Sequence, residues 1–392
     1  MPGIKRPVLV LSIVSFLTDI SSEMIYPLVP LFLTSVLGAP LAAVGLIEGF
    51  AESTSSILKT ASGWLSDRLR ARKPLVFLGY ALSALAKPLL AAAYVWPAVL
   101  GARFVDRAGK GLRTAPRDAL MAEVTPSHLR GRAFGFHRAA DTLGAVVGPA
   151  VGLGLLAALN ENFRLIFLLA LIPAAGGVAL LALVRERRLP PAAGGERGVS
   201  LRELGAGFYA FLAVSLVFAL GNSSDVFLIL RAKDLGLSNS EVVLSYIVFN
   251  AVYAALAFPA GVVSDRLGQR NVIGLGFLVF ALVYLGFALA GGGALVWGLF
   301  AVYGFYMALT EGVGRAFVAD FVPSRSRATA LGLYQGALGG MILLSSITAG
   351  LMWDRIDPAA PFFLGGATGL AALVALVAVL PRRPTEVAGA GV

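Results

Sequence analysis

Gly63-Trp64-Leu65-Ser66-Asp67-Arg68-Leu69 returns 198 residues later as Gly261-Val262-Val263-Ser264-Asp265-Arg266-Leu267, in a chain of 392 residues. Each copy ends a long apolar segment and opens a short basic turn. Other echoes keep nearly the same offset: Ser21-Ser22-Glu23 becomes Ser223-Ser224-Asp225, and Pro126-Ser127 with Arg130 becomes Pro323-Ser324 with Arg327. The chain is therefore read as two homologous halves.

Composition says where such halves reside. Hydrophobic residues make up 58% of the chain and charged residues 14%, against about 25% charged in a soluble domain. So few charges cannot cover a soluble surface of this size. Twelve apolar segments long enough to cross a bilayer recur, at roughly 8–36, 40–66, 74–94, 97–125, 131–158, 163–184, 203–230, 239–264, 272–290, 294–321, 327–352 and 360–381. The predicted fold is an all-α integral membrane protein, with twelve transmembrane helices in two pseudo-symmetric six-helix bundles at 1–184 and 203–392. The polar, Pro- and Gly-rich stretch 185–202 is the predicted cytoplasmic linker, and Ser200 with Glu203 has the spacing of a capping box at the next helix. Duplicated membrane halves of this kind are the pattern of secondary transporters.

The net charge of +10 follows topology. Arg68, Arg70, Arg72 and Lys73 follow the second segment, Arg130 and Arg132 the fourth, Arg185, Arg187 and Arg188 the sixth, Arg266 and Arg270 the eighth, and Arg325 and Arg327 the tenth. Arg382 and Arg383 follow the twelfth, while the opposite loops are nearly free of basic residues. The positive-inside rule then places both termini in the cytoplasm of a prokaryotic-type cell, with the protein in its inner (plasma) membrane. A nucleic-acid partner is excluded for want of a soluble basic module. With no cysteine, disulfides and thiolate metal sites are excluded as well. Lys5 and Arg6 before an apolar run resemble a signal peptide, but the run continues past Asp19 and Glu23 without a small-residue cleavage site.

The turn at 63–73 carries Gly63, Leu65, Asp67, Arg68, Arg72 and Lys73, with Arg70 and Ala71 departing from a Gly-Arg pair. Its repeat keeps Gly261, Asp265, Arg266, Gly268 and Arg270. The fifth segment carries Gly135, Gly144, Gly148, Pro149 and Gly152, spaced Gly-x8-Gly-x3-Gly-Pro-x2-Gly. Together these motifs resemble the major facilitator superfamily over the whole chain, and the glycine pattern resembles that of its twelve-span drug:proton antiporter branch. The resemblance implies a conformational latch formed by Gly63, Asp67, Arg68, Arg72, Gly261, Asp265 and Arg266, in which Asp67 sits against the positive end of a helix. It also implies close helix packing at the glycines, which the second half lacks, since Pro149 maps onto Ser346. The plainer readings are a basic topology signal and glycine packing without further meaning.

Charges inside the segments carry the chemistry. Asp19 and Glu23 stand at i,i+4 in segment 1, and Glu48 and Glu52 at i,i+4 in segment 2 with Lys59 beyond. Segment 4 holds Arg103, Arg107, Lys110 and Arg117 on one helical face, with Asp106, Arg113 and Asp118 beside them. Segment 5 adds His137, Arg138 and Asp141. The second half is barer, with Asp225 in segment 7 and Glu311 and Arg315 in segment 10. Each charge at mid-membrane costs about 2.5–3.5 kcal/mol even on insertion scales. They must therefore face a wet cavity or one another. The resemblance implies that segments 1, 4, 7 and 10 line that cavity. Asp19, Glu23, Glu48, Glu52, Arg103, Arg107, Arg113, Arg117, Asp141, Asp225, Glu311 and Arg315 are the candidate substrate or proton pathway. The competing reading for Asp19 and Glu23 is a buried ion pair with segment 4.

Enzymatic chemistry finds no support. Ala108-Gly109-Lys110-Gly111 lacks the Ser or Thr of a phosphate loop, His128 and His137 lack ligand spacing, and no nucleophile elbow occurs. No cofactor and no metal are expected. The expected partners are a small-molecule substrate, protons as coupling ion and the lipid bilayer, with the protein a monomer. The expected function is alternating-access transport of a small organic solute by proton-coupled efflux. The alternatives are symport or exchange of an anionic metabolite, favoured by the segment-4 cations, and a lipid flippase.

Overall fold

The computed structural model describes residues 6–69, 72–125, 130–184, 204–322 and 327–380. The linker 185–202, the capping box, Arg70, Pro126-Ser127 and Pro323-Ser324 lie outside them, as do the side chains of Asp67, Arg68, Gly135 and Asp265. All regular structure among the described residues is helical. The helices are α1 (Arg6–Glu23), α2 (Leu28–Leu31), α3 (Leu41–Leu69), α4 (Lys73–Ala91), α5 (Trp96–Val124), α6 (Arg130–Ala158), α7 (Phe163–Leu169) and α8 (Leu171–Leu180). They continue with α9 (Gly205–Ala219), α10 (Val226–Asp234), α11 (Asn239–Leu267), α12 (Gln269–Leu289), α13 (Ala294–Asp320), α14 (Arg327–Arg355) and α15 (Ala360–Val379).

Helices α3, α5, α6, α11 and α14 have 29 residues each. At 1.5 Å per residue they reach about 43 Å, beyond a hydrocarbon core of about 30 Å, so their polar ends stand outside it. Ten helical stretches among the described residues are long and apolar enough to cross a membrane. Two of the twelve predicted spans fall outside that set. The 97–125 span forms α5 unbroken but is rich in charge, and the 203–230 span is interrupted between α9 and α10. Large apolar side chains face outward, as lipid requires and water would penalise; Phe258 is 80% exposed and Leu289 73%.

The two segments carrying the Ser-Ser-acid echo, 8–36 and 203–230, are each interrupted, although the first remains one helical stretch long enough to cross a membrane. Helix α1 ends at Glu23, turns through 24–27, and resumes as α2 and a π-helical turn at Phe32–Val36. Pro27 and Pro30 withhold backbone donors there. In the second case Gly221, Asn222, Ser223 and Ser224 favour turns over helix. Helix α14 satisfies the freed backbone: Ser346 Oγ accepts from the Ser224 N–H at 3.1 Å, and Ser345 Oγ donates to the Asn222 carbonyl at 3.2 Å. Such local side-chain satisfaction is what permits a broken helix at membrane depth.

The chain divides into two compact units, Met1–Ala193 with Ser238–Ile247, and Gly194–Leu237 with Val248–Val392. In the first, α5 is packed between α3 and α4. The Ala108–Gly111 stretch belongs to that packing, because a Cβ on Gly109 would lie 2.4 Å from the Gly79 carbonyl oxygen. In the second, rings pack across helices, with Phe218 of α9 4.5 Å from Phe277 and 4.6 Å from Phe280 of α12 between centroids. Lipid is as apolar as leucine, so contacts of this closeness, rather than exclusion of water, hold such helices together.

Candidate functional site

A cavity in the first unit gathers most of the charges singled out above. Asp19, Ser22, Glu23 and Tyr26 form one wall, and Arg103, Asp106, Arg107, Lys110 and Arg113 of α5 form the other. The acidic wall is set by α6. A Cβ on Gly144 would lie 2.9 Å from Asp19 Cβ, one on Gly148 2.9 Å from Glu23 Cβ, and one on Gly152 2.3 Å from the Met24 carbonyl oxygen. Only glycine lets α6 lie this close to the end of α1. The motif thus fixes where the two acids stand.

The basic wall is held by pairs reaching into α3 and α4. Arg103 donates from Nε to Glu48 Oε1 at 2.9 Å and from Nη2 to Glu48 Oε2 at 2.6 Å, a two-point fork with both side chains at most 3% exposed. Arg107 pairs with Glu52 at 3.1 Å. The guanidinium carbons of Arg103 and Arg107 stand 5.8 and 6.0 Å from the centre of the Tyr26 ring, within cation–π reach. Arg113 donates to Ser83 and lies over the Tyr80 ring. Among the described residues, Asp19, Glu23 and Lys110 form no ion pair. Glu23 accepts from the Tyr246 hydroxyl of the same unit at 3.2 Å. Asp19 stands in the field of Asp141, Lys110, Arg113 and Glu23.

Several expectations change. The segment-4 pairs go to Glu48 and Glu52, not to Asp19 and Glu23. Arg117 keeps its helix face but lies about 10 Å farther along the axis than Lys110; it leaves the cavity, bonding Asp118 at 2.9 Å and Ser15 at 3.0 Å. Asp141 is also outside the cavity lining, 3.6 Å from His137. Among the residues expected to form a latch, Arg72 pairs with Glu123 at the end of α5, Gly63 approaches Ala115, Gly261 has open space beside it and Arg266 is exposed.

Lys87 escaped sequence reasoning, although it is the sole charge between Pro74 and Tyr94. It is fully buried on α4 and donates to Asp106 Oδ1 and to Ser22 Oγ, each at 3.2 Å. It thereby ties both cavity walls to α4. In the second unit Asp225 sits at the break before α10 and accepts from the Tyr303 hydroxyl at 2.6 Å. Glu311 accepts from the Tyr253 hydroxyl at 2.5 Å and from Arg315 at 2.7 Å.

Comparison with known proteins agrees with this architecture. The family profile of the Major Facilitator Superfamily matches residues 11–229 and 208–391. An uncharacterised MFS-type transporter of Methanocaldococcus jannaschii is 36% identical over 368 residues, covering 92% of both chains. The multidrug resistance protein MdtH of Photorhabdus laumondii is 25% identical over 386 residues, covering 92% of this chain and 91% of its own. The crystal structure of a D-xylose-proton symporter superposes with a TM-score of 0.75 at 19% identity, covering 96% of this chain and 97% of its own. The chain belongs to the Major Facilitator Superfamily and is a multi-pass membrane transporter, not an enzyme.

Proposed function

We propose that this protein is a secondary active transporter that exports a small organic solute in exchange for protons, with Asp19 and Glu23 carrying the proton. One observation carries the reading: the glycine stripe of α6 seats these two acids, without ion-pair partners among the described residues, in the wall of a cavity whose opposite side is cationic. Glu48, Glu52 and Asp106 are bound to cations and hold α5 in place. The distant relative described as a multidrug resistance protein supports export. The bundles are 1–184 and 203–392, the inner membrane is the location, the termini are cytoplasmic, the unit is a monomer, and the turns around Asp67 and Asp265 bias the conformational equilibrium.

Lys110 and Arg113 in the cavity lining favour a second reading, symport or exchange of an anionic metabolite. Protonation of Asp19 and Glu23 leaves these two cations facing the cavity, a surface suited to a carboxylate or phosphate. Proteoliposomes under an imposed pH gradient, tested with cationic, neutral and anionic solutes, separate the two. Export requires proton-driven accumulation of a cationic or neutral solute that Asp19→Asn with Glu23→Gln abolishes. Accumulation of anions alone selects symport, and unchanged transport in the double variant refutes the assignment of the proton to these acids.

A further inference from the structure

A groove lies between α12 and α15 in the second unit. Gly274, Leu275, Leu278, Leu373, Leu376 and Val377 give it an apolar lining, with Arg270 and Asn271 at one end. Its volume is about 220 Å³. The end bearing Arg270 lies just past the Asp265-Arg266 turn, where helices α11 and α12 meet, so it coincides with an end of the membrane-spanning region. Leu275 and Leu278 face outward, toward the bilayer.

Arg270 is held rather than loose. Its Nε donates to the Leu376 carbonyl at 3.4 Å and its Nη2 to the Val377 carbonyl at 2.8 Å, both in the last turn of α15. These bonds use two of the five N–H donors a guanidinium carries. The side chain is only 9% exposed, and it holds a permanent positive charge at the mouth of an apolar channel. The same mouth receives the first turn of α12, which follows Gly268 without a side-chain cap and so adds the partial positive charge of a helix start. Gly274 opens the channel floor, since a Cβ there would lie 3.3 Å from Leu373 Cδ1. A fixed cation at the depth of the headgroups, continuous with an apolar slot running toward the hydrocarbon, complements one class of molecule.

We infer that the α12–α15 groove is a binding site for an anionic phospholipid, whose phosphate engages Arg270 and Asn271 and whose acyl chain lies along Leu275, Leu278 and Leu373. Basic recesses between transmembrane helices recognise lipid headgroups in this way. The occupant is a lipid rather than a free anion because the apolar lining forms most of the groove and would stay wet around inorganic phosphate.

The test uses the full-length protein, purified and delipidated in detergent. Thermal stability is followed while phosphatidylglycerol, phosphatidylcholine or inorganic phosphate is titrated, with lipid retention read in parallel by native mass spectrometry. Phosphatidylglycerol should raise the melting temperature saturably and at least about tenfold more tightly than phosphatidylcholine, while phosphate has no effect; a ligand that binds only the folded state stabilises by mass action. Arg270→Gln should weaken the phosphatidylglycerol response about tenfold. It also removes two bonds to α15, so Leu278→Trp, which fills the groove and leaves Arg270 intact, should weaken the response independently. Equal responses to the two lipids, an effect of phosphate matching that of phosphatidylglycerol, or an undiminished response in Leu278→Trp would overturn the site.

Discussion

The two units answer one architectural problem with different chemistry. Lys87 and Asp106 of the first, shifted by 197 positions, fall on Tyr284 and Tyr303 of the second. A fully buried ion pair thus stands where the repeat has two buried tyrosines, their ring centroids 6.4 Å apart. The Glu23 and Asp225 echoes both adjoin a helix break, but the helices alongside differ. Gly148 and Pro149 of α6 map onto Ser345 and Ser346 of α14. The glycine stripe packs against the first break so closely that an added Cβ would lie within 3 Å of it, whereas the serines hydrogen-bond the second. The second unit reaches a like arrangement with rings and hydroxyls. Buried ion pairs are poor stabilisers compared with well-packed apolar groups. Under the function proposed above, their concentration in one half is what an exchange of protons there requires.

The largest expected effect comes from breaking that contrast at Arg103. Arg103→Met leaves Glu48 buried and unpaired, which should cost about 3–5 kcal/mol of stability, read as a lowered melting temperature in detergent. Arg103→Met with Glu48→Leu makes the first unit locally resemble the second and should regain most of that loss while transport stays lost. A double variant no more stable than the single one would show that Glu48 alone is not what Arg103 neutralises.

The corresponding test in the second unit is Tyr303→Phe. It removes the hydroxyl bonded to Asp225 while keeping the ring contacts with Tyr306 and Phe249 at 5.1 and 5.2 Å. A hydrogen bond to a charged group contributes about 1.5–3 kcal/mol, and the loss should appear as reduced thermal stability. Tyr284→Phe is the comparison, because the Tyr284 hydroxyl bonds Ser223 and Tyr303 while the one that reaches Asp225 belongs to Tyr303. Equal losses in both would mean that the ring cluster acts as a unit and Asp225 has no private partner.

Next in size is the comparison of helix breaks. Gly148→Val places new atoms against the Ile20 carbonyl oxygen and Glu23 Cβ, each already 2.9 Å from an ideal Cβ. Overpacking of this kind costs about 1–3 kcal/mol, and it displaces Glu23, so proton-driven transport should fall further than stability does. Ser345→Ala at the matching position of the second unit should cost less, about 1 kcal/mol for one hydrogen bond. Transport in Gly148→Val reduced only in step with folded protein would deny the stripe any role in positioning the acids.

The duplication, the helical class and the family were legible from the repeated Gly-x-x-Ser-Asp-Arg-Leu phrase and from hydropathy, because both depend on local residue pattern. The cavity walls were half legible. Asp19, Glu23, Arg103 and Lys110 declared themselves as charges with nowhere else to go, but helical spacing specifies a face and not a depth, so Arg117 was grouped with a cavity it lies beyond. Pairing with the segment-4 cations was legible in outline, but the sequence did not choose among Asp19, Glu23, Glu48 and Glu52 as partners. Glu48 and Glu52 meet α5 where Gly111 lets α3 close upon it, a matter of interhelical approach that no periodicity encodes. Lys87 was missed for a different reason. A single lysine in an apolar span looks like an interruption until its partners, Ser22 and Asp106, are seen on two other segments.

The smallest effect on stability should come from Arg315, and for that reason it sharpens the comparison most. Its pair with Glu311 is an i,i+4 contact at 2.7 Å on one helix, with the arginine side chain 51% exposed. Partly exposed helix pairs contribute about 0.3–0.5 kcal/mol, so Arg315→Gln should leave the melting temperature nearly unchanged. If the working charges reside in the first unit, transport should also stay close to wild type, and its dependence on pH should keep its midpoint. Glu311 still holds the Tyr253 hydroxyl in that variant, so the acid keeps a partner and its surroundings change little. A severe transport defect in a protein of normal stability would therefore reveal a functional cation in the aromatic half. The division between a charged working unit and a ring-packed supporting one would then fail at that residue.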